Sequence, residues 1–141
     1  MAIAELRQEG GGRALSRMVD IDARRLARGL AWFGIGLGLA QLLAPKRVAR
    51  ASGLYDHSYL PAFGVREIAS GIGILARARP SGWLWARVAG DVVDLAVLGG
   101  AFATHKRTKG RLAVAAAAVA GVALLDVLCA ARMSNEPRRG R

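Results

Sequence analysis

The sequence predicts an all-α fold, a four-helix transmembrane bundle preceded by a short N-terminal amphipathic helix. Three observations carry this. Four apolar segments, residues 26–44, 60–76, 83–104 and 112–131, are each near the length that crosses a bilayer as a helix. Hydrophobic residues make up 53% of the 141, and the mean hydropathy is positive, too apolar for an ordinary soluble domain. Residues 113–125 contain no polar side chain, whereas a helix of a soluble Ala-rich bundle would show one every three to four positions. The domain organisation follows: residues 1–25 form an unstructured lead and an interfacial helix, 26–132 a four-span membrane domain, and 133–141 an unstructured basic tail.

The net charge is +11. Lys and Arg collect where the apolar runs begin and end, so Arg24, Arg25, Arg28, Lys106, Arg107 and Lys109 are candidates for lipid headgroup contact. No basic stretch alternates with aromatics in a stacking pattern, which argues against nucleic acid as a partner. Cys129 is the only cysteine, so there is neither a disulfide framework nor a thiol metal cluster, and a buried small hydrophobe is its expected role.

Residues 1–12 hold a glycine triplet and mixed charge without apolar periodicity. From Ala14 onward Leu15, Met18, Val19 and Leu26 are apolar while Arg17, Arg24 and Arg28 form a stripe, the pattern of a helix lying in the membrane interface. The first apolar run starts too late for a secretory signal and lacks a cleavage site. In the first span Gly34 and Gly38 make a small-xxx-small pair that lets another helix approach closely, and Pro45 ends the run. A loop over residues 46–59 then sets Tyr55 and Tyr59 beside basic residues, as in an aromatic belt. Asp56, His57 and His105 lack ligand spacing, so no metal site is expected.

Pro61 suits the first turn of the second span, where Gly71 and Gly73 are packing candidates. Arg66 and Glu67 are adjacent, about 100° apart around the helix, so each is expected to find its own partner. The turn over residues 77–82 contains Pro80 and folds spans two and three into an antiparallel hairpin, with Ser81 as N-cap. Span three carries Arg87, Asp91 and Asp94 at spacings of four and three, hence on one face, with Gly90 among them. Each such charge costs about 2.5 to 3.5 kcal/mol at the centre of a span, so that face must look into protein or water. Span four has Ala117 and Gly121 as a second small pair and Asp126 as its only charge. A glycine-proline echo, Gly29, Gly36, Gly38 and Pro45 against Gly64, Gly71, Gly73 and Pro80, is too weak to define a repeat in a chain with 18 glycines.

Four spans put both termini on one side with the 77–82 turn. Twelve of the 21 Lys and Arg fall there, which by positive-inside reasoning makes that side cytoplasmic in a multi-pass cell (plasma) membrane protein. At 1.5 Å rise per residue, Arg87 and Asp126 share a depth of about 7 Å from that edge, and Arg66, Glu67 and Asp94 lie about 18 to 22 Å from it. Arg87 is therefore expected to pair with Asp126 or Asp91, and Arg66 with Asp94. Two arginines then face four carboxylates. Either some acids hold protons, Glu67 and Asp91 being the candidates, or water or a cation shares the seam.

The runs LARGLAWFGIGLGLAQLLAP, GVREIASGIGIL and WLWARVAGDVVDLAVLG resemble the small multi-pass membrane module associated with cyclase/dehydrase proteins, where it precedes a START-like polyketide cyclase/dehydrase domain. The resemblance covers about residues 24–132, and its most specific elements are Gly64-Val65-Arg66-Glu67 and Arg87-Val88-Ala89-Gly90-Asp91 with Asp94. No START-like domain is present in these residues. The resemblance implies a non-catalytic membrane anchor or accessory module working beside a separately encoded START-like partner that handles lipid or another apolar molecule. The alternative is a proton- or cation-coupled small transporter or channel subunit, in which case a homodimer is expected, because four short helices leave little room for a path. No nucleophile-base pair can be assembled from Ser70, Cys129 and the two histidines, so neither an enzyme nor a cofactor is expected.

Overall fold

A computed structural model describes residues 2–77 and 80–135, with side chains from Asp22 onward. The elements are α1 (Ala2–Leu43), α2 (Pro45–Ser52), α3 (Leu60–Ala76), α4 (Ser81–Thr104) and α5 (Lys109–Ser134), with a 3-10 turn at Lys106–Thr108 ahead of α5. No strand occurs among the described residues. Packing is most extensive between α1 and α3 and between α4 and α5, and contacts of α1 with α5 and of α3 with α4 close the ring. Within α1 and α3, Gly38 lies against Gly64 and Ala31 against Gly71, so these helices run antiparallel. The α3–α4 hairpin is also antiparallel, because Arg66 meets Asp94 while Gly73 meets Trp83.

Burial is inverted relative to a soluble bundle. Arg87 is 2% exposed, Glu67 3%, Asp91 4% and Asp126 0%, whereas Trp32 is 65% exposed, Val92 61%, Val114 71% and Leu124 59%. Water as solvent would penalise both halves of that distribution, and a hydrocarbon environment favours both. An apolar cluster of Ala27, Ala31, Ile74, Leu84, Cys129 and Ala130 packs together at the end near the α3–α4 turn, and Ala49, Leu60, Leu98 and Leu112 are buried toward the other end. Two stretches, Asp22–Leu43 and Lys106–Ser134, are long and apolar enough to cross a membrane. Of the other two expected spans, α3 has 17 residues and α4 carries Arg87, Asp91 and Asp94.

Three local expectations are corrected. Residues 2–25 are not a lead plus a separate helix but belong to one helix with the first span. No proline interrupts residues 2–43, and once a helix is nucleated, extension through glycine costs only about 1 kcal/mol per residue. The expected polar stripe through Arg17 and the apolar face of Leu15, Met18 and Val19 lie outside the residues whose side chains are described. Residues 45–52 form α2 rather than loop. Pro45 opens it and Gly53, at φ 83°, ends it in the left-handed conformation that a glycine adopts without strain. Ser81 is the first residue of α4 and makes no capping bond; Pro80 holds the cap position. At the other end, α5 continues through Met133, which packs against the core, and the rest of the expected tail, residues 136–141, lies outside the described residues.

Candidate functional site

The ring of helices encloses a charged cluster built from three of them. Arg87 of α4 donates from Nη1 to Glu67 Oε2 of α3 at 2.9 Å and from Nε to Asp126 Oδ2 of α5 at 3.1 Å. Arg66 of α3 donates from Nη2 to Asp94 Oδ2 of α4 at 2.8 Å and to its own neighbour Glu67 Oε1 at 2.9 Å. Glu67 therefore bridges the two arginines, one oxygen to each. The expected pairs Arg87 with Asp126 and Arg66 with Asp94 are present. Arg66 and Glu67 each have a partner of their own, as expected, in Asp94 and Arg87, and they also bond each other: their Cα–Cβ bonds diverge, but the long guanidinium arm swings back across that angle. Phe63, one turn before Glu67, lies under the Arg66 guanidinium at 5.1 Å from its ring centroid, which adds a cation–π contact.

Close helix approach makes this geometry feasible. A Cβ at Gly34 would collide with the Arg87 guanidinium, so α1 offers a bare backbone surface where the charge sits. A Cβ at Gly38 would lie 2.5 Å from the Gly64 carbonyl, which is the contact that draws α1 onto α3. Gly71, Gly73 and Gly90 likewise face Ala31 and Ile35, Trp83, and Arg66. Gly121 is different. It meets nothing within 4 Å, and Ala117 is exposed as well, because α5 turns Asp126, Cys129 and Ala130 inward and its small-residue face outward. Within the single chain Gly121 is not a packing site.

Several oxygens in the cluster lack a donor among the described residues: Asp91 Oδ2, Asp94 Oδ1 and Asp126 Oδ1, together with Gln41 Oε1 of α1. Gln41 is 7% exposed and was invisible to the charge pattern. A cavity of about 230 Å³ runs along these groups, lined by Gln41, Glu67, Arg87, Asp91 and Asp94 on one side. Apart from Ser52 its remaining lining is apolar and includes Phe33, Leu37, Phe63 and Val119. Glu67, Asp91 and Asp94 each bring one oxygen within 4.8 Å of the others. Both Glu67 oxygens already accept from arginines, so Asp91 and Asp94 are the less engaged ligands of this group. Asp91 also meets Asp126 through their side chains, two acids in contact where each keeps an oxygen without a donor.

Elsewhere His105 and Asp56 have partners of their own. His105 stacks on Tyr55 at 4.5 Å and its Nδ1 lies 2.9 Å from the Ala101 carbonyl, while Asp56 accepts from the Ser58 backbone N–H at 2.8 Å. That bond holds the Asp56 carboxyl below its usual range. Cys129 is sealed and donates to the Ala23 carbonyl at 3.1 Å. Arg24, Arg25 and Arg28 are exposed at the end near the α3–α4 turn, and Lys106, Arg107 and Lys109 are exposed at the opposite end, Lys109 lying 5.2 Å over the Phe102 ring. Fold and site together define a small all-helical protein with an apolar exterior and a buried arginine–carboxylate cavity. No family model, curated protein or solved structure matches the chain.

Proposed function

We propose that the chain is a four-span cell membrane protein whose buried cluster exchanges protons or a small cation, the site of a proton- or cation-coupled transporter or channel subunit. One observation carries this: two arginines face four clustered carboxylates, three buried and Asp94 partly so, and Asp91 and Asp94, each with an oxygen that accepts no bond, are among the residues lining a cavity. An excess of two negative charges in a low-dielectric interior costs several kcal/mol per charge, which two protons or one divalent cation in the seam would offset. Asp91 and Asp126 suit a shared proton, since a proton between two carboxylates supplies a donor where each keeps an oxygen without one. The helices α3 and α4 span with α1 and α5, their charges turned toward the cavity, and the basic ends contact headgroups, with both termini cytoplasmic. The outward small-residue face at Ala117 and Gly121 would form a homodimer seam.

A second function is favoured by the closure of Arg87 between Glu67 and Asp126. Such a clamp fixes helix register, as a non-catalytic anchor or accessory module for a START-like partner would require. Ion flux separates the two. In proteoliposomes carrying a pH-sensitive dye, transport predicts a flux that Asp91→Asn and Asp94→Asn abolish while the protein stays folded; an anchor predicts none in any of the three.

A further inference from the structure

A second cavity, of about 360 Å³, lies where α2, the turn after it and the start of α5 meet, and its polar lining is Lys46, Arg50, Tyr55, His57, Thr108 and Arg111. Lys46 and Arg50 are one turn apart on α2 and so share a face. Arg111 Nη1 donates to the Arg50 carbonyl at 3.3 Å, which pins α2 to α5 and uses one of five guanidinium donors. Thr108 Oγ1 is enclosed and has no partner among the described residues. Gly53, the left-handed residue that ends α2, is pressed onto this wall: a Cβ there would lie 3.0 Å from Arg111 Cβ and 3.1 Å from the Thr108 carbonyl. Packing therefore builds the cavity, and it is not a gap beneath a loose loop.

The lining includes no carboxylate. Asp56, the nearest acid in sequence, is exposed and engaged by Ser58. Three full cations, Lys46 and Arg50 from α2 and Arg111 from α5, line one cavity with no carboxylate in its lining and match a tetrahedral oxyanion. Guanidinium forks give paired bonds to phosphate oxygens, and the ammonium adds a point charge. We propose that this cavity is a phosphate-binding site, taking either the phosphate of an anionic phospholipid at the bilayer surface or that of a soluble phosphate ester. Lys46, Arg50 and Arg111 are exposed like Lys106, Arg107 and Lys109, but the first three share one cavity lining. The site shares no charged residue with the buried cluster, so its failure would leave the cation reading untouched.

The test uses the full chain in neutral detergent. One arm adds phosphatidylglycerol and counts retained lipid by native mass spectrometry; the other adds inorganic phosphate and follows its ³¹P linewidth. Arg50→Gln with Arg111→Gln is expected to reduce binding at least tenfold, and Lys46→Gln, which leaves both guanidinium groups in place, several-fold. Lys106→Gln with Arg107→Gln, the same charge removed from the open surface, is expected to change it less than twofold. Retained lipid that millimolar phosphate does not displace assigns the headgroup, and displacement assigns a soluble ester; both support the site. Equal losses in the two double variants, or no binding of either probe by the native chain, would overturn it.

Discussion

Arg87 on α4 and Asp126 on α5 form a bond sealed from solvent, Nε to Oδ2 at 3.1 Å, with side-chain exposures of 1% and 0%. Breaking one member of such a pair strands the other. Arg87→Met leaves Asp126 without its cation and Glu67 with Arg66 alone, and is expected to destabilise the chain by about 3 to 5 kcal/mol. Arg87→Lys should recover only part of this, because a single ammonium lacks the two-armed reach that spans both acids. Thermal unfolding in detergent, followed by circular dichroism, measures both.

The Arg66 and Asp94 pair is looser, its side chains 28% and 16% exposed, and Arg66 keeps Glu67 as a second acceptor. Asp94→Asn preserves an oxygen at the same place and is expected to cost about 1 kcal/mol, near a single hydrogen bond. The same unfolding measurement should rank it well below Arg87→Met. The ordering matters, since it lets Asp94→Asn report on transport in a folded protein.

Two glycines of α1 make opposite predictions. A methyl at Gly38 would lie 2.5 Å from the Gly64 carbonyl, so Gly38→Ala should push α1 from α3 and cost about 1 to 3 kcal/mol. Gly29 meets nothing within 4 Å, so Gly29→Ala should leave stability unchanged or raise it by about 0.5 to 1 kcal/mol through the unfolded chain. Denaturation midpoints of the two variants against the native chain decide the matter.

Membrane orientation has its own check. With Cys129→Ala as background, Ser58→Cys and Asn135→Cys place exposed thiols at opposite ends of the bundle. In sealed vesicles an impermeant maleimide is expected to label one and spare the other, with Asn135→Cys on the cytoplasmic side. Labelling of both from one side contradicts a four-span arrangement.

Much of this architecture was legible in the sequence because charges within apolar runs are rare and the rise of a helix is fixed. Depth paired Arg66 with Asp94 and left Arg87 between Asp126 and Asp91, of which the structure takes Asp126. Reach was not legible: the bond between neighbours Arg66 and Glu67 depends on side-chain torsions, and helix spacing says nothing of those. Gln41 escaped notice because one uncharged polar residue near the end of an apolar run has no periodic signature. The eight residues of α2 were hidden by their charge, which on a longer window reads as loop. Gly121 misled in the other direction, since small-xxx-small spacing marks a face that permits approach without saying whether a neighbour lies there.

The central claim is that the buried acids carry exchangeable positive charge, and infrared difference spectroscopy of the native chain in bilayers tests it most directly. A pH step should produce a protonated-carboxyl signal that Asp91→Asn and Asp126→Asn each remove and that added cation diminishes. A native spectrum with no carboxyl signal, unchanged by cation and identical in both variants, would contradict the account and leave the cluster as a clamp.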